Sequence, residues 1–272
     1  MIQNHLVSVL MPAYNAEKYI SEAIESILNQ TFTKFELIIT NDASTDSTWM
    51  IIQKYAKKDS RIRIYQNQKN LYIAENRNLL VKLARGKYIA WQDADDISMP
   101  DRLEKQFKFM ELNPQVGIVG GYLQFFEKRI IKSIRKYSTN DKELRNNIFR
   151  FSPVAQPTAM IRRECFEKVG LYNPKYPPAE DIDMSFRIGT YYKFSNIPRV
   201  TLKYREHQDS ATFDKLKKIE LSTLEIRRNN NCKNGYRMTC VDRIYNLLQY
   251  LSIFILPGQL KISLFNAFRN SH

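Results

Sequence analysis

Three carboxylates fall within four residues in Trp91-Gln92-Asp93-Ala94-Asp95-Asp96, at the end of a short apolar run. Like charges this close repel, so the cluster costs stability unless something positive offsets it. A divalent cation is one such partner. Hard oxygen ligands suit Mg²⁺ or Mn²⁺, which bind through one or two carboxylates plus substrate phosphates. The Asp93-Ala94-Asp95 tripeptide therefore reads as a grip on a metal–diphosphate, although acidic loops are also commonly just solvated. A second group, Asn41-Asp42-Ala43-Ser44-Thr45-Asp46, offers Ser44, Thr45 or Asp46 as a helix N-cap. Asp42, nearest the preceding apolar run, has no capping role and suits a nucleobase N–H. A third group, Pro178-Ala179-Glu180-Asp181-Ile182-Asp183, precedes a helical pattern. The helix dipole favours acids there and would lower their pKa. A metal-free carboxylate far from the Asp-x-Asp also suits deprotonation of an acceptor hydroxyl. His207 is the one internal histidine. In Tyr204-Arg205-Glu206-His207 it reads as a surface side chain or as a metal or diphosphate ligand.

Each acidic group needs an element to hold it. Leu6–Met11 is an apolar run ending at Pro12, as in a buried strand. From Ala16 to Gln30, apolar residues recur every four positions, which predicts a helix with Asn15 as its N-cap. Further strands are predicted at Phe35–Thr40, Arg61–Gln66, Tyr88–Gln92 and Val116–Tyr122. Helices are predicted at Trp49–Ala56, Ile73–Ala84 (stopped by Gly86), Asp101–Leu112 and Met184–Tyr192. This alternation predicts an α/β fold, a mainly parallel sheet with helices on both faces. Ligands of such sheets bind beyond the carboxyl ends of the strands, where Pro12–Asn15, Asn41–Ser47 and Asp93–Asp96 all lie.

The 272-residue chain carries a formal charge of +14, with 43% hydrophobic and 12% aromatic residues. That is enough apolar material for a core and excludes a mostly disordered chain. Three widely spaced cysteines, Cys165, Cys232 and Cys240, argue against a disulfide framework or a zinc site and for a reducing compartment. There is no signal-peptide pattern and no apolar run of membrane-spanning length. Neither a GxGxxG fingerprint, nor a P-loop, nor a GxSxG elbow is present. A basic excess of this size favours polyanionic partners.

Together and in this order, the segments resemble the family-2 glycosyltransferases with a GT-A fold. The resemblance covers about residues 5 to 212. It begins at Leu6-Val7-Ser8-Val9-Leu10-Met11-Pro12-Ala13-Tyr14-Asn15 and continues through Ile27–Phe32 and Phe35–Asp46. Asn41 stands where that family has Asp, and Ala43 where it has Gly. Asn70–Asn78 follows, with Tyr72 in place of Gly and Asn76 in place of Ala. Then come Gly86–Ala90, the acidic loop, Met99-Pro100-Asp101-Arg102-Leu103, Gln156–Met160 and Glu180-Asp181. The resemblance implies inverting transfer of a sugar from a nucleotide-diphosphate donor, a UDP-sugar, with Mn²⁺ or Mg²⁺. It implies that Pro12, Tyr14 and Asn15 border the nucleotide and that Asp42 reads the base. Asp93 and Ala94 would contact the donor, and Asp95 the metal. Asp181 would be the general base, with Glu180 beside it. Arg77 and His207 would be diphosphate, nucleotide or metal contacts. Residues 1–122 would form a nucleotide-binding half and 123–212 an acceptor-side half.

Residues 213–272 lie outside that pattern. Ten basic residues there face four acidic ones, interleaved with apolar and aromatic positions from Ile244 to Leu256. A basic, amphipathic helical segment suits an anionic membrane surface; it also suits a helix packed on the domain or a dimer contact. The expectation is a cytoplasmic enzyme, peripheral on the inner face of the cell membrane, acting on a glycan or lipid-linked glycan of the bacterial surface. The rival readings are a nucleic-acid-binding protein, which acidic cleft loops disfavour, and an inactive scaffold, which the presence of both Asp95 and Asp181 disfavours. Nucleic acid is therefore not an expected partner.

Overall fold

A computed structural model describes residues 6–128, 130–206 and 211–256. Alternation along the first strands sets the layers. In β1 (Val7–Ala13), Val7, Val9 and Met11 pack on one side of the sheet and Leu10 on the other. β2 (Phe35–Asn41) divides Phe35, Leu37 and Ile39 from Ile38 in the same way. β3 (Ile62–Gln66) lies at the edge. In β4 (Tyr88–Trp91), Tyr88 and Ala90 join the first side, and Ile89 and Trp91 the second. Both sides are buried, so these strands read as nearly continuous apolar runs. Helices α1 (Ile20–Leu28) and α2 (Thr48–Ala56) cover the first side, and α3 (Tyr72–Leu83) covers the second with Leu80 and Val81.

The chain continues through β5 (Ile97–Ser98), α4 (Arg102–Leu112), β6 (Val116–Glu127), β7 (Ile130–Arg135), α5 (Asp141–Asn147), β8 (Met160–Arg162), α6 (Arg163–Val169), α7 (Glu180–Gly189) and β9 (Lys193–Arg205). Among the described residues the sheet runs β3-β2-β1-β4-β8-β6-β9-β5, with β7 paired to β6. The first four strands are mutually parallel. β8 then enters antiparallel between β4 and β6, and β6 and β9 run parallel to each other. Two helices follow, α8 (Ala211–Asn230) and α9 (Cys240–Ile255). Ile226 and Tyr236 belong to the core on the α3 side, so this region is fastened to the domain.

Two local expectations change. Helix α1 begins at Ile20, with Tyr19 rather than Asn15 at its N-cap. Asn15 adopts a left-handed φ of 48° and spends its carboxamide elsewhere. Gly86 does not terminate α3 by a left-handed turn; Ala84 does so by going extended, at ψ 138°. Glycine is required at position 86 for space, because a Cβ there would lie 2.5 Å from the Ser8 amide nitrogen.

Candidate functional site

The loops after β1 and β2 are sewn together by hydrogen bonds. The Asn15 amide donates to Ser44 Oγ at 3.0 Å, and the Thr45 amide donates back to Asn15 Oδ1 at 2.9 Å. The Ala16 amide donates to Thr48 Oγ1, and the Glu17 amide to Asp46 Oδ2. Asp46 also accepts from the Thr48 amide, so of the three N-cap candidates it is Asp46 that serves the start of α2, although Ser47 holds the cap position. Pro12 pairs in register with Thr40, and Tyr14 stands half exposed at the rim.

Asp42 is buried, and its Oδ1 accepts from Asn67 Nδ2 at 2.7 Å and from the Leu71 amide at 2.9 Å. Asn67 is shared with Asn76 Oδ1 at 3.2 Å. The carboxylate is thus aimed by two asparagines that the sequence reading did not assign to it. Asn41 is fully buried beside it, and neither of its side-chain polar atoms has a partner among the described residues. Ala43 and Tyr72, each at a position where glycine was expected from the resemblance, have φ of 57° and 61°. These are left-handed values that glycine adopts without strain.

Arg77 occupies the centre. Trp91 projects from β4 to the α3 side, and the Arg77 guanidinium lies over its ring at 5.3 Å and over Tyr172 at 5.9 Å. Arg77 Nη1 donates to Glu180 Oε1 at 2.6 Å, and Nη2 lies 3.8 Å from Asp93 Oδ1. One buried cation therefore joins the acidic loop after β4 to the Glu180-Asp181 pair that opens α7. Gln156 Nε2 donates to the Tyr172 hydroxyl at 2.8 Å and fixes that ring.

Two further arginines lie under the acidic loop. Arg102 is fully buried and donates to the Trp91 carbonyl at 2.7 Å and to Ser98 Oγ at 2.9 Å. The Arg205 amide donates to Asp96 Oδ1 at 2.9 Å, and its Nε to the Asp95 carbonyl at 2.8 Å. The compensation that the sequence reading assigned to a metal is thus partly made by arginines. It is incomplete. Burial, opposed by Arg77 and reinforced by Asp95, pushes the Asp93 carboxyl up to about 6. Burial, with Asp95 and Asp93 adding to it, holds Asp96 well above the usual carboxylate range. Asp181 also departs from the sequence expectation. Burial and the neighbouring Glu180 charge raise it to about 6 against Arg77, where the helix dipole alone would lower it.

No group of three or more acidic, histidine or cysteine side chains converges on one point among the described residues. The donor set available to a cation is therefore one or two carboxylates of the Asp93–Asp96 loop. That still fits Mg²⁺ or Mn²⁺, which take much of their coordination from water and phosphate, and the residual negative potential on Asp93 and Asp96 supports it. His207 lies outside the described residues. Arg102, Arg205, Asn67 and Asn76 are the supports that sequence reasoning missed. The Met99–Leu103 segment, the Tyr204–His207 run and the Asn70–Asn78 segment had drawn attention to Arg102, Arg205 and Asn76, without these roles. A separate groove of about 1110 Å³ lies on the β6–α5 side, lined among others by Tyr122, Tyr137, Ser138, Asn147, Arg150 and Phe151.

The model of the family described as Glycosyl transferase family 2 matches residues 8–170. An uncharacterized glycosyltransferase of Methanocaldococcus jannaschii is 36% identical over 263 residues, covering 93% of this chain and 90% of its own. The Escherichia coli protein WfgD, a UDP-Glc:alpha-D-GlcNAc-diphosphoundecaprenol beta-1,3-glucosyltransferase, is 29% identical over 259 residues, 93% of this chain and 95% of its own. Among solved structures, S. aureus TarS 1–349 in complex with UDP superposes with a TM-score of 0.66 at 20% identity, over 95% of this chain and 74% of that one. The mannosyltransferase PcManGT from Pyrobaculum calidifontis, in complex with GDP-Man and Mn²⁺, gives a TM-score of 0.66 at 18% identity, over 92% and 70%. These likenesses establish the GT-A fold.

Proposed function

The chain belongs to glycosyl transferase family 2, and from that premise we propose that it moves a sugar from a UDP-sugar to a hydroxyl of a lipid-linked glycan, with inversion at the anomeric carbon. Its place of work is the cytoplasmic face of a membrane where surface glycans are assembled. The observation that carries this reading is the Arg77 bridge, which sets a donor-side carboxylate and an acceptor-side carboxylate on either flank of one buried guanidinium. The WfgD likeness supports the donor and acceptor classes.

The roles follow from position. Asp42, aimed by Asn67 and the Leu71 amide, accepts from the base N–H, and Tyr14 at the rim covers the ring. Pro12 and Asn15 shape the loop along the nucleoside. Asp93 and Ala94 meet the ribose and diphosphate, and Asp95 holds the divalent ion. Mn²⁺ or Mg²⁺ bound there supplies Lewis-acid neutralisation of the leaving diphosphate. Asp181 takes the proton from the attacking hydroxyl as the new bond forms. A base with a pKa of about 6 is mostly ionised at neutral pH and still basic enough to accept that proton. Glu180, locked to Arg77, keeps the pair in place. Inversion demands base and leaving group on opposite sides of the sugar, and the two carboxylate groups come from separate elements, the β4 end and the α7 start. The groove lined by Tyr122, Tyr137 and Phe151, with hydroxyl and amide groups among them, has the mixed apolar and polar lining that suits the acceptor saccharide.

The test is release of UDP from a panel of UDP-sugars with Mn²⁺ and a polyprenyl-diphosphate-linked saccharide. Asp181→Asn should lower transfer by about 10²- to 10⁴-fold with UDP and Mn²⁺ affinity near wild type. Transfer at the wild-type rate would move the base elsewhere. Loss of UDP binding in the folded variant would place Asp181 on the donor side.

A further inference from the structure

Helix α9 is amphipathic the wrong way round for a helix lying on a protein. Its polar stripe faces the domain. Asp242, 1% exposed, pairs with Arg150 at 2.9 Å, and Asn246 Nδ2 donates to the Phe149 carbonyl at 2.9 Å. Buried Arg227 donates to Asn246 Oδ1 at 3.2 Å and to Gln249 Oε1 at 2.8 Å. Positions 242, 246 and 249 follow the i, i+4, i+7 spacing of one helix face. The opposite face carries Val241, Ile244, Leu248, Leu251 and Ile255, with Leu247 and Phe254 beside them, and all seven are exposed. In water an amphipathic helix turns its apolar face to the core; here hydrogen bonds and an ion pair hold it the other way.

An apolar face held outward needs an apolar partner, and the charge around it says which. Among residues 216–256 every exposed charged side chain is basic: Lys217, Lys218, Arg228, Lys233, Arg237 and Arg243. The acids of the same stretch are turned away or paired: Glu220 and Asp242 are buried, and Glu225 is bonded to Lys175. Lys217 Nζ lies 5.3 Å from the Phe254 ring centroid, which brings a cation to the end of the apolar stripe. Two copies meeting through this face would bring basic rims together, whereas an anionic bilayer satisfies both components. No described helix is long and apolar enough to cross a membrane.

We propose that α9 lies in the plane of an anionic lipid bilayer, its Val241–Ile255 apolar face inserted below the head groups and its polar face bolted to the catalytic domain through Arg150 and Arg227. Arg150 and Phe151 also line the β6–α5 groove, and Phe151 packs edge-on against Tyr245 of α9 at 5.7 Å. A bilayer bound on α9 therefore lies beside that groove, where a saccharide carried on a lipid would enter. Only this last consequence rests on the proposed acceptor; bilayer binding is read without any transfer reaction.

The full-length protein should co-sediment with phosphatidylglycerol vesicles, fail to do so with phosphatidylcholine vesicles, and release as salt rises. Leu247→Gln combined with Leu248→Gln and Leu251→Gln changes three exposed positions. It should lower the vesicle partition coefficient at least tenfold while circular dichroism and UDP affinity stay as in wild type. Wild-type partitioning by that variant would overturn the proposal. A wild-type dimer that the triple variant converts to monomer, seen by light scattering, would assign the face to a second copy and overturn it equally. Vesicle binding with no detectable transfer would sink the enzymatic reading alone.

Discussion

Arg77 is little screened by water: it is 7% exposed, lies against the Trp91 and Tyr172 rings, and answers a fully buried Glu180. Burial works against its charge, but Glu180 and Asp93 outweigh that and hold its pKa above the ordinary arginine value. Removing one partner of such a pair strands the other. Arg77→Met should therefore destabilise the protein by about 3–5 kcal/mol, measured as a lower urea midpoint with an unchanged m-value. Arg77→Lys should recover part of the stability but not the two-sided bridge. Asp181 adds a kinetic signature. With its carboxyl at about 6, the rate should fall tenfold per pH unit below that value and level off above it, and a flat profile down to pH 5 would exclude Asp181 as the base. Residue by residue, the sequence made Asp42 and Asp93 visible because each is an acid at the end of an apolar run, and Asp181 because it opens a helical pattern. Arg77's link to Glu180 spans 103 positions, and Asn67 and Asn76 work only by aiming Asp42. Side chains whose role is a partner in space leave no local pattern.

At the scale of elements, periodicity located β1 to β4 and α1 to α4 closely, because β1, β2 and β4 are buried on both sides, β3 alternates at the edge and these helices are buried on one side. It failed at the ends, where single backbone groups decide. Asn15 binds across to the next loop instead of capping its own helix, Asp46 serves both its own helix start and the neighbouring loop, and β8, three residues long, is too short to show a period. Ala43 is one of the non-glycine positions held at a left-handed φ. Ala43→Gly removes a strain of about 1–2 kcal/mol for a non-glycine residue. Against this stands about 0.5–1 kcal/mol for glycine's extra freedom in the unfolded chain. The variant should come out slightly more stable, by about 0.5–1 kcal/mol, in chemical denaturation. Gly86→Ala should go the other way, because the new Cβ meets the Ser8 nitrogen at 2.5 Å and the Val7 carbonyl carbon at 2.8 Å. Backbone cannot swing aside, so a loss of about 1–3 kcal/mol is expected. An unchanged melting temperature would show that the β1–β4 contact has more room than this geometry allows.

The whole molecule responds to pH through two sets of carboxylates with opposite signs. Glu36 is buried, yet hydrogen bonds from Ser8, Arg63 and the Arg85 amide hold its pKa below the usual value. Asp46 is likewise lowered, its burial outweighed by bonds from Thr48 and Glu17, and Asp59 is lowered by Arg61. A group lowered by folding adds stability that is present above its unfolded pKa and is lost as pH falls through the folded one. For these three the loss begins below about pH 4. Asp181 behaves oppositely. Its folded pKa of about 6 lies above the unfolded 3.8, so between those values the folded chain holds the extra proton. Its contribution is therefore full below the lower value and declines as pH rises toward the higher. The ligand-free protein should be most stable near pH 4 to 5, between the two windows, and less stable at pH 7. Asp93 and Asp96 are raised by folding as well, so Asp181→Asn should shrink the decline between pH 5 and 7 without abolishing it and without moving the acid limb. Urea midpoints measured from pH 3 to 8 for both proteins test this. A wild-type curve that rises steadily to pH 7 would show that Asp93 and Asp181 are both ionised in the folded state well below pH 6, and that burial does not dominate around Arg77.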